Sequence, residues 1–357
     1  MSQRVLIAMS GGIDSTVSAL LLREQGYELV GVTFRTFDSM KESCLAREKG
    51  CCSIESIMEA KHNAERMGFE HHIVDFRQTF REHVISNFVD EYAHGRTPNP
   101  CVLCNSHIKW GVLLDTAREF GCDKIATGHY ARIAEHNGHT YLRTAVDTHK
   151  DQTYFLWMLT EDNLRHTIFP LGGLTKDEVR HIAAEHGFDA LVKKPESQEV
   201  CFIPDNDYRG FLAKEGVLPE PGEYIDASGK VVGTHQGCPF YTIGQRKGLG
   251  VALGYPAFVT HIDTAANRIT LGEHDDLYTT VVQARDMRIR DRQWLAASPE
   301  VEARIRYRSA AVPATVVIHE PDETMALQFD EPVWAPTPGQ SLVLYKDGLV
   351  VGGGIIR

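Results

Sequence analysis

No apolar run in the 357 residues approaches the roughly 18–20 that a bilayer-spanning helix needs. The opening MSQRVLIAMSGG holds an apolar stretch too short for a secretory signal and runs straight into two glycines. The chain is therefore expected to be cytoplasmic, without a membrane partner. Eight cysteines are too few for a disulfide scaffold at this length, which points to unbridged, metal-bound or catalytic thiols. Positive charge is in deficit, with a net charge of −11. That excludes a general nucleic-acid binder but leaves room for a local basic surface. A content of 43% hydrophobic and 24% charged residues is that of a soluble globular protein, and the length implies two or three domains.

The first two hundred residues alternate strand-like and helix-like segments. Arg4–Met9, Glu28–Phe34, His71–Phe76 and Lys124–Thr127 read as strands. Asp14–Gln25, Ile54–Met67, Thr79–Tyr92, His107–Phe120 and Lys176–His186 read as helices, with DQTYFLWML (from Asp151) as another whose aromatics are core. Such alternation implies an α/β fold with a doubly wound parallel sheet, whose ligands sit at the carboxyl ends of the strands.

At the first strand-to-helix junction stands SGGIDS, Ser10–Ser15. Paired glycines let the backbone approach an anion, and the helix that follows offers N–H groups and a positive dipole end. Ser10 and Ser15 can add hydrogen bonds. Asp14 can cap the helix and hold Mg²⁺ beside phosphates. The Walker A lysine is missing, so the phosphate cradle of common GTPases is not what is built here. SGGIDS resembles the pyrophosphatase loop of the N-type ATP pyrophosphatases, which cleave ATP to AMP and pyrophosphate and adenylate a carbonyl or carboxylate oxygen.

Further along come GRTPNPCVLCN (Gly95–Asn105), Gly128-His129-Tyr130, KDQTYF (Lys150–Phe155), SQEVCFIP (Ser197–Pro204), GTHQG (Gly233–Gly237), TIGQRKGLG (Thr242–Gly250) and TPGQ (Thr337–Gln340). In this order they resemble the tRNA-specific 2-thiouridylase family over nearly the whole chain. The resemblance implies replacement of the wobble uridine 2-oxygen by sulfur in tRNA, at the expense of ATP with Mg²⁺. Carried over by position, it implies Cys201 as the persulfide-bearing cysteine and Cys104 as its disulfide partner. Asn99, Pro100 and Cys101 fall at the target base. Ala8, Met9, Ser10, Gly11, Gly12, Ile13, Asp14, Ser15, Phe34 and Gly128 match nucleotide contacts. His129, Lys150, Asp151, Gln152, Arg306, Tyr307 and Gln340 match positions that touch tRNA, and a sulfur-donor protein is an implied partner. Many family members carry aspartate where Cys101 stands, as the proposed acid/base group, so the role of Cys101 is open.

The thiols admit other chemistry. A C-x-x-C pair is a common half of a zinc site, but no second pair accompanies Cys101 and Cys104. Cys101, Cys104 and Cys201 together can ligate an iron–sulfur cluster, an alternative route to the same thiolation. Cys44, Cys51, Cys52, Cys122 and Cys238 are structural or unassigned.

After Cys201 the pattern turns to short β runs between glycine and proline turns, with one short helix in Pro204–Gly216. Residues 1–207 read as the nucleotide domain, 208–275 as a small linking β domain and 276–357 as a C-terminal β-barrel. Arg288, Arg290 and Arg292 alternate, as do Arg304, Arg306 and Arg308; strands would put each row on one face, suited to RNA phosphates. An adenylating synthetase of a small metabolite and a non-catalytic RNA-binding protein are the alternatives. The first would leave Cys201 dispensable, and the second would form no AMP.

Overall fold

A computed structural model describes residues 3–37, 54–194, 200–203, 206–319 and 323–357. Cys44, Cys51 and Cys52 lie outside them, as do Ser197–Glu199 and Pro204 of the SQEVCFIP string. The chain divides into two compact units. Unit one comprises Met1–Val84, Cys101–Asp207 and Gly348–Val350; unit two comprises Ile85–Pro100, Tyr208–Asp347 and Val351–Arg357.

Unit one is built on β1 (Arg4–Ala8), β2 (Glu28–Arg35), β3 (Glu70–Asp75) and β4 (Lys124–Ala126), with the hairpin β5 (Arg132–His136) and β6 (His139–Arg143) and the short β7 (Thr167–Ile168). The sheet runs β3-β2-β1-β4-β7, every pair parallel. Val5, Leu6 and Ile7 of β1 have no exposed surface, and each such side chain stabilises the fold by roughly 1.5–3 kcal/mol. From β1 the chain winds outward through β2 and β3, then returns to β4 on the other side. The crevice above β1 and β4 is thus the topological switch point at which α/β sheets place ligands.

Helix α1 (Ile13–Glu24) follows β1 through the glycine pair. Gly11 has φ +71°, and a Cβ there would run into the Ser56 carbonyl. Only glycine fits. Helix α2 (Ile54–Met67) has the bounds its periodicity predicts.

Three expected helices differ. Thr79–Tyr92 is divided into Arg77–Phe80, a π turn at Arg81–Ile85 and Ser86–Ala93. The helix expected from His107 starts at Pro100 and winds as a π-helix over Cys104–Val112 before becoming α at Leu113–Glu119. DQTYFLWML is no helix beyond a 3₁₀ turn at Thr153–Phe155. Asp151 spends its carboxylate on the Ala145 amide (3.0 Å) and the Thr153 hydroxyl (2.7 Å), and Gln152 pairs with the Tyr130 backbone, so this stretch is stitched to its neighbours instead. Its aromatics Tyr154 and Trp157 are buried core, as the sequence suggests.

In unit two, β8 (Gly222–Ile225), β9 (Val231–His235), β10 (Phe258–Asp263) and β11 (Arg268–Gly272) form a sheet in the order β10-β11-β8-β9. The remaining strands are β12 (Tyr278–Ile289), β13 (Glu300–Arg304), β14 (Val312–His319), β15 (Thr324–Trp334), β16 (Ser341–Lys346) and β17 (Leu349–Ile356). They run β12-β15-β14-β13-β16-β17, and β12 pairs back onto β17, closing a six-stranded barrel.

The arginine rows are not strand faces. β12 ends at Ile289, before Arg290, and Arg292 opens a helix (Arg292–Ala297) that Asp291 caps by accepting from the Trp294 amide (2.9 Å). β13 ends at Arg304, so Arg306 and Arg308 lie in the turn beyond it. The acidic cap and the strand ends override the alternation.

Candidate active site

The SGGIDS loop leaves β1 at the switch point. Gly12 is the N-cap of α1 and has no side-chain cap, so the first-turn N–H groups face the loop. Ser15 draws the loop tight: its Oγ accepts from the Ser10 amide (3.2 Å) and donates to the Gly12 carbonyl (3.0 Å). Asp14 stands in the first turn and is not the cap. Its Oδ1 accepts from Lys176 Nζ (2.7 Å) and from the Tyr130 hydroxyl (2.8 Å), and Oδ2 accepts from the same ammonium (2.9 Å). Lys176 is buried at the start of a helix (Lys176–Glu185), whose N-cap Thr175 forms a capping box with Glu178. A buried cation is thus held against the SGGIDS loop by Asp14.

Gly128 closes the crevice from β4. A Cβ on it would stand 2.9 Å from the Asp14 carbonyl carbon and 3.0 Å from the Ser15 nitrogen, so the two loops meet backbone to backbone. Phe34, at the end of β2, is half-buried against Phe76. His129 sits between Thr127 Oγ1, 2.8 Å from Nδ1, and Lys109 Nζ, 3.3 Å from Nε2. An ammonium can only donate, so Nε2 accepts, and the neutral ring carries its proton on Nδ1 toward Thr127. Desolvation, reinforced by the Lys109 charge, holds the His129 pKa well below the ordinary histidine range.

The thiols are placed by local chemistry. Cys104 opens the π stretch, and i→i+5 winding sets Lys109 one turn beyond it, where an α-helix would place Ile108. Cys101 is solvent-exposed on the short helix Pro100–Leu103, yet surrounding protein desolvates it enough to raise its thiol pKa, against the pull of Lys109. Cys201 is exposed on a turn, a position the apolar EVCFIP context does not suggest. Its neighbour Phe202 anchors that turn among Phe80 (centroids 5.6 Å) and Phe37 (6.4 Å), which leaves the cysteine outside. Cys122 and Cys238 are buried and their thiols pushed up to about 11, as structural cysteines. None of these five is disulfide-bonded.

Cys101, Cys104 and Cys201 do not converge. Among the described residues no three Cys, His, Asp or Glu side chains group closely enough to hold a metal ion. The cluster-bearing arrangement therefore does not fit the residues as they stand. Asp14 alone is a poor cage for Mg²⁺, and suits it only if phosphate oxygens and water complete the octahedron.

The residues expected at tRNA are scattered in role. Asp151 is buried and engaged as above, while Lys150 and Gln152 are half-buried beside it. Arg306 donates to the Ala335 carbonyl (2.6 Å) and the Thr337 hydroxyl (3.0 Å), with its guanidinium 5.1 Å from the Trp334 ring centre. Tyr307 is half-buried in the same turn. Gln340 donates to the backbone of Thr97 and Pro98, within unit two.

Comparison with known proteins locates the whole chain. A tRNA methyl transferase HUP domain model matches residues 3–205, a tRNA methyl transferase PRC-barrel domain model 209–273, and an aminomethyltransferase beta-barrel domain model 284–356. A tRNA-specific 2-thiouridylase MnmA of Amoebophilus asiaticus is 47% identical, over 99% of this chain and 95% of that protein. The chain belongs to the tRNA-specific 2-thiouridylase family. The proteins of the same name from Cytophaga hutchinsonii and Clostridium perfringens are 46% and 44% identical, each over 99% of this chain and 97% and 98% of their own length.

In this 2-thiouridylase family member two cations near the glycine loop and the thiols, Lys109 and Lys176, carry no motif of their own in the sequence. A faint signal marks Lys176, which stands inside a Thr-x-x-Glu capping box, directly after its threonine. Lys109 gains its place from π winding, which α-helical periodicity cannot foresee. Among the described residues no helix is long and apolar enough to cross a membrane.

Proposed function

We propose that the chain is a cytoplasmic, ATP-dependent tRNA-uridine 2-sulfurtransferase acting on the wobble uridine. The observation that carries this reading is that the phosphate loop and the thiols of Cys104 and Cys201 belong to one compact unit, in a chain whose full-length relatives are named 2-thiouridylases.

The uridine 2-oxygen is a poor leaving group. ATP bound along Ala8–Ser15, with Phe34 and Gly128 bordering the nucleotide, transfers AMP to that oxygen and releases pyrophosphate. The first-turn N–H groups of α1 and the Lys176 ammonium stabilise the phosphate charge that develops. Asp14, together with the phosphate oxygens, would hold Mg²⁺, which would supply further neutralisation of that charge. A persulfide on Cys201, loaded by a sulfur-donor protein, attacks C2 through its terminal sulfur, and AMP departs with the old oxygen. The Cys104 thiolate then attacks Cys201 Sγ, breaking the S–S bond. A Cys104–Cys201 disulfide forms, the sulfur stays on C2, and an external thiol must reduce the disulfide before the next cycle.

Asn99, Pro100 and Cys101 border the base, which must leave its stack to be reached. With its pKa raised, Cys101 is a neutral thiol, a proton donor rather than a base. His129, Lys150, Gln152, Arg306, Tyr307 and Gln340 are the side chains assigned to the tRNA surface, and Asp151 shapes it from beneath. The assignment of residues 1–207 to chemistry and of 208–275 and 276–357 to tRNA is part of the proposal.

The domain descriptions say methyl transferase, which favours a second reading of methyl transfer to tRNA. The assay that decides is tRNA thiolation with purified protein, ATP, Mg²⁺ and a persulfide-bearing sulfur donor, run with and without an added methyl donor. Sulfur incorporation with matching AMP supports the proposal. Methylated tRNA in the reaction that holds the methyl donor, or AMP formation that needs no tRNA, would overturn it.

A further inference from the structure

The π stretch that carries Cys104 is pinned from three sides inside unit one. The Asn105 carboxamide donates to the Phe155 carbonyl (2.9 Å), and the Trp110 indole donates to the Thr167 hydroxyl (2.7 Å). The Trp110 carbonyl accepts from the Asn163 side-chain amide (3.0 Å). Asn105 directly follows Cys104 and Trp110 directly follows Lys109, so both positions are fixed in register. Asn105, Ile108 and Trp110 are buried, which leaves Cys104 and Lys109 half-exposed on the other side.

Lys109 is a half-buried cation without an anion. Its Nζ lies 3.3 Å from Nε2 of His129, a neutral ring that brings no compensating charge. The Trp110 and Phe169 rings stand 5.6 and 6.3 Å from that imidazole. Among the described residues no carboxylate pairs with Lys109. Carboxylates on the neighbouring elements are engaged elsewhere, Asp75 with Arg77 (2.6 Å), Asp115 with Arg118 (2.9 Å) and Asp162 with His166 (3.5 Å). His107, on the π stretch itself, stacks on His83 with 4.6 Å between ring centres.

An uncompensated, partly desolvated charge favours any nearby group that can become its counter-ion. The groups at hand are thiols. The Lys109 charge already acts on Cys101, pulling its pKa down, but desolvation prevails there and the thiol stays neutral. Cys104 is the next thiol along the chain and opens the turn that ends at Lys109.

We propose that Lys109 is a positioning residue that acts through Cys104, its ammonium stabilising the Cys104 thiolate for attack on Cys201 Sγ. The consequence for turnover rests on the thiolation reading; the thiolate itself does not. The Cys104 thiol gives its proton to water, and the ammonium offsets the charge left on sulfur. His129, accepting at Nε2, aims the ammonium and adds no charge of its own.

The test is alkylation of the full-length protein by iodoacetamide across the pH range, read at Cys104 by peptide mapping, for wild type and for Lys109→Met, Lys109→Gln and Lys109→Arg. A nearby cation lowers a thiol pKa by about one pH unit or more, which multiplies the thiolate fraction about tenfold, while the weaker nucleophile gives back part of the gain. Cys104 should therefore alkylate about three- to tenfold more slowly at pH 7 in the Met and Gln variants. Above about pH 10, where the lysine too gives up its proton, the rates should converge, and Lys109→Arg should stay near wild type throughout. In single-turnover thiolation the two neutral variants should resolve the adduct between tRNA and Cys201 more slowly by about the same factor. Wild-type alkylation of Cys104 at pH 7 in both neutral variants would overturn the proposal, and a tenfold weaker tRNA Kd beside it would assign Lys109 to an RNA phosphate instead. A rate lowered equally at every pH would mean lost access rather than lost charge, and would overturn it too. Failure of the wild type to thiolate tRNA would sink the thiolation reading and leave the alkylation result to judge Lys109 alone.

Discussion

Replacing Lys176 by methionine removes the ammonium that holds both Asp14 oxygens while keeping the apolar stem. Deleting one partner of a fully buried ion pair costs about 3–5 kcal/mol, because the other charge is left uncompensated. Here the Lys176 side chain is 6% exposed but that of Asp14 is 35% exposed, and the carboxylate keeps the Tyr130 hydroxyl. Water can therefore reach the stranded charge, and the cost falls to about 1–2 kcal/mol. In melting temperature this amounts to a loss of about 2–8 °C. The effect on chemistry should be larger. A preorganised charge aimed at a transferring phosphate contributes about 10²–10³-fold. We expect tRNA-dependent pyrophosphate release by Lys176→Met to fall by that factor, with Lys176→Arg between it and wild type. A variant that melts a few degrees lower but releases pyrophosphate at the wild-type rate would refute the phosphate role and leave Lys176 as a mere partner of Asp14.

Three more outcomes follow from the same geometry. Gly128→Ala places a methyl against the Asp14 and Ser15 backbone, which cannot retreat as a flexible side chain could; a destabilisation of about 1–3 kcal/mol and at least a tenfold loss of pyrophosphate release are expected, and a stable, active variant would contradict the backbone contact. His71, held near 4 chiefly by burial, and His129, held well below its ordinary value, stay neutral in the fold but take up a proton near pH 6.5 when unfolded, and His235, lowered chiefly by burial, acts in the same direction. The unfolded state thus binds more protons, and stability should decline from pH 6.5 to pH 5, by at most about 1.4 kcal/mol per pH unit for each histidine and less for those partly exposed; urea midpoints that stay flat over this window would refute it. Cys101, a neutral thiol by desolvation, should alkylate slowly at pH 7 and faster above pH 9, and peptide mapping that found it the fastest-reacting cysteine at pH 7 would contradict its proton-donor role.

Much of the fold was legible because its signals are local. β1 is an uninterrupted apolar run, α2 keeps a helical period from Ile54 to Met67, and the glycine pair between β1 and α1 marks a turn that only glycine can make. Less was legible where tertiary contacts overrule local preference. DQTYFLWML carries helix formers, but Asp151 and Gln152 are drawn to backbone partners elsewhere. The arginine rows obey strand alternation, yet Asp291 caps a helix and β13 stops at Arg304. At the candidate site, the thiols and the glycine loop could be named from sequence because their residue types announce the chemistry. Lys109 and Lys176 could not, since lysines are common and it is the π winding and the burial beside Asp14 that give these two their meaning.

The central claim is sulfur transfer to tRNA through Cys201 and Cys104 after adenylation. The direct measurement is single-turnover thiolation of tRNA by protein preloaded with radiolabelled sulfur, with AMP counted in parallel, for wild type, Cys201→Ser and Cys104→Ser. The account predicts labelled tRNA and equimolar AMP from wild type. Cys201→Ser should form AMP with no label in tRNA, and Cys104→Ser should release AMP but hold the label in a covalent protein–tRNA adduct, bonded to both C2 and Cys201 Sγ. Wild-type levels of labelled tRNA from Cys201→Ser would contradict the account.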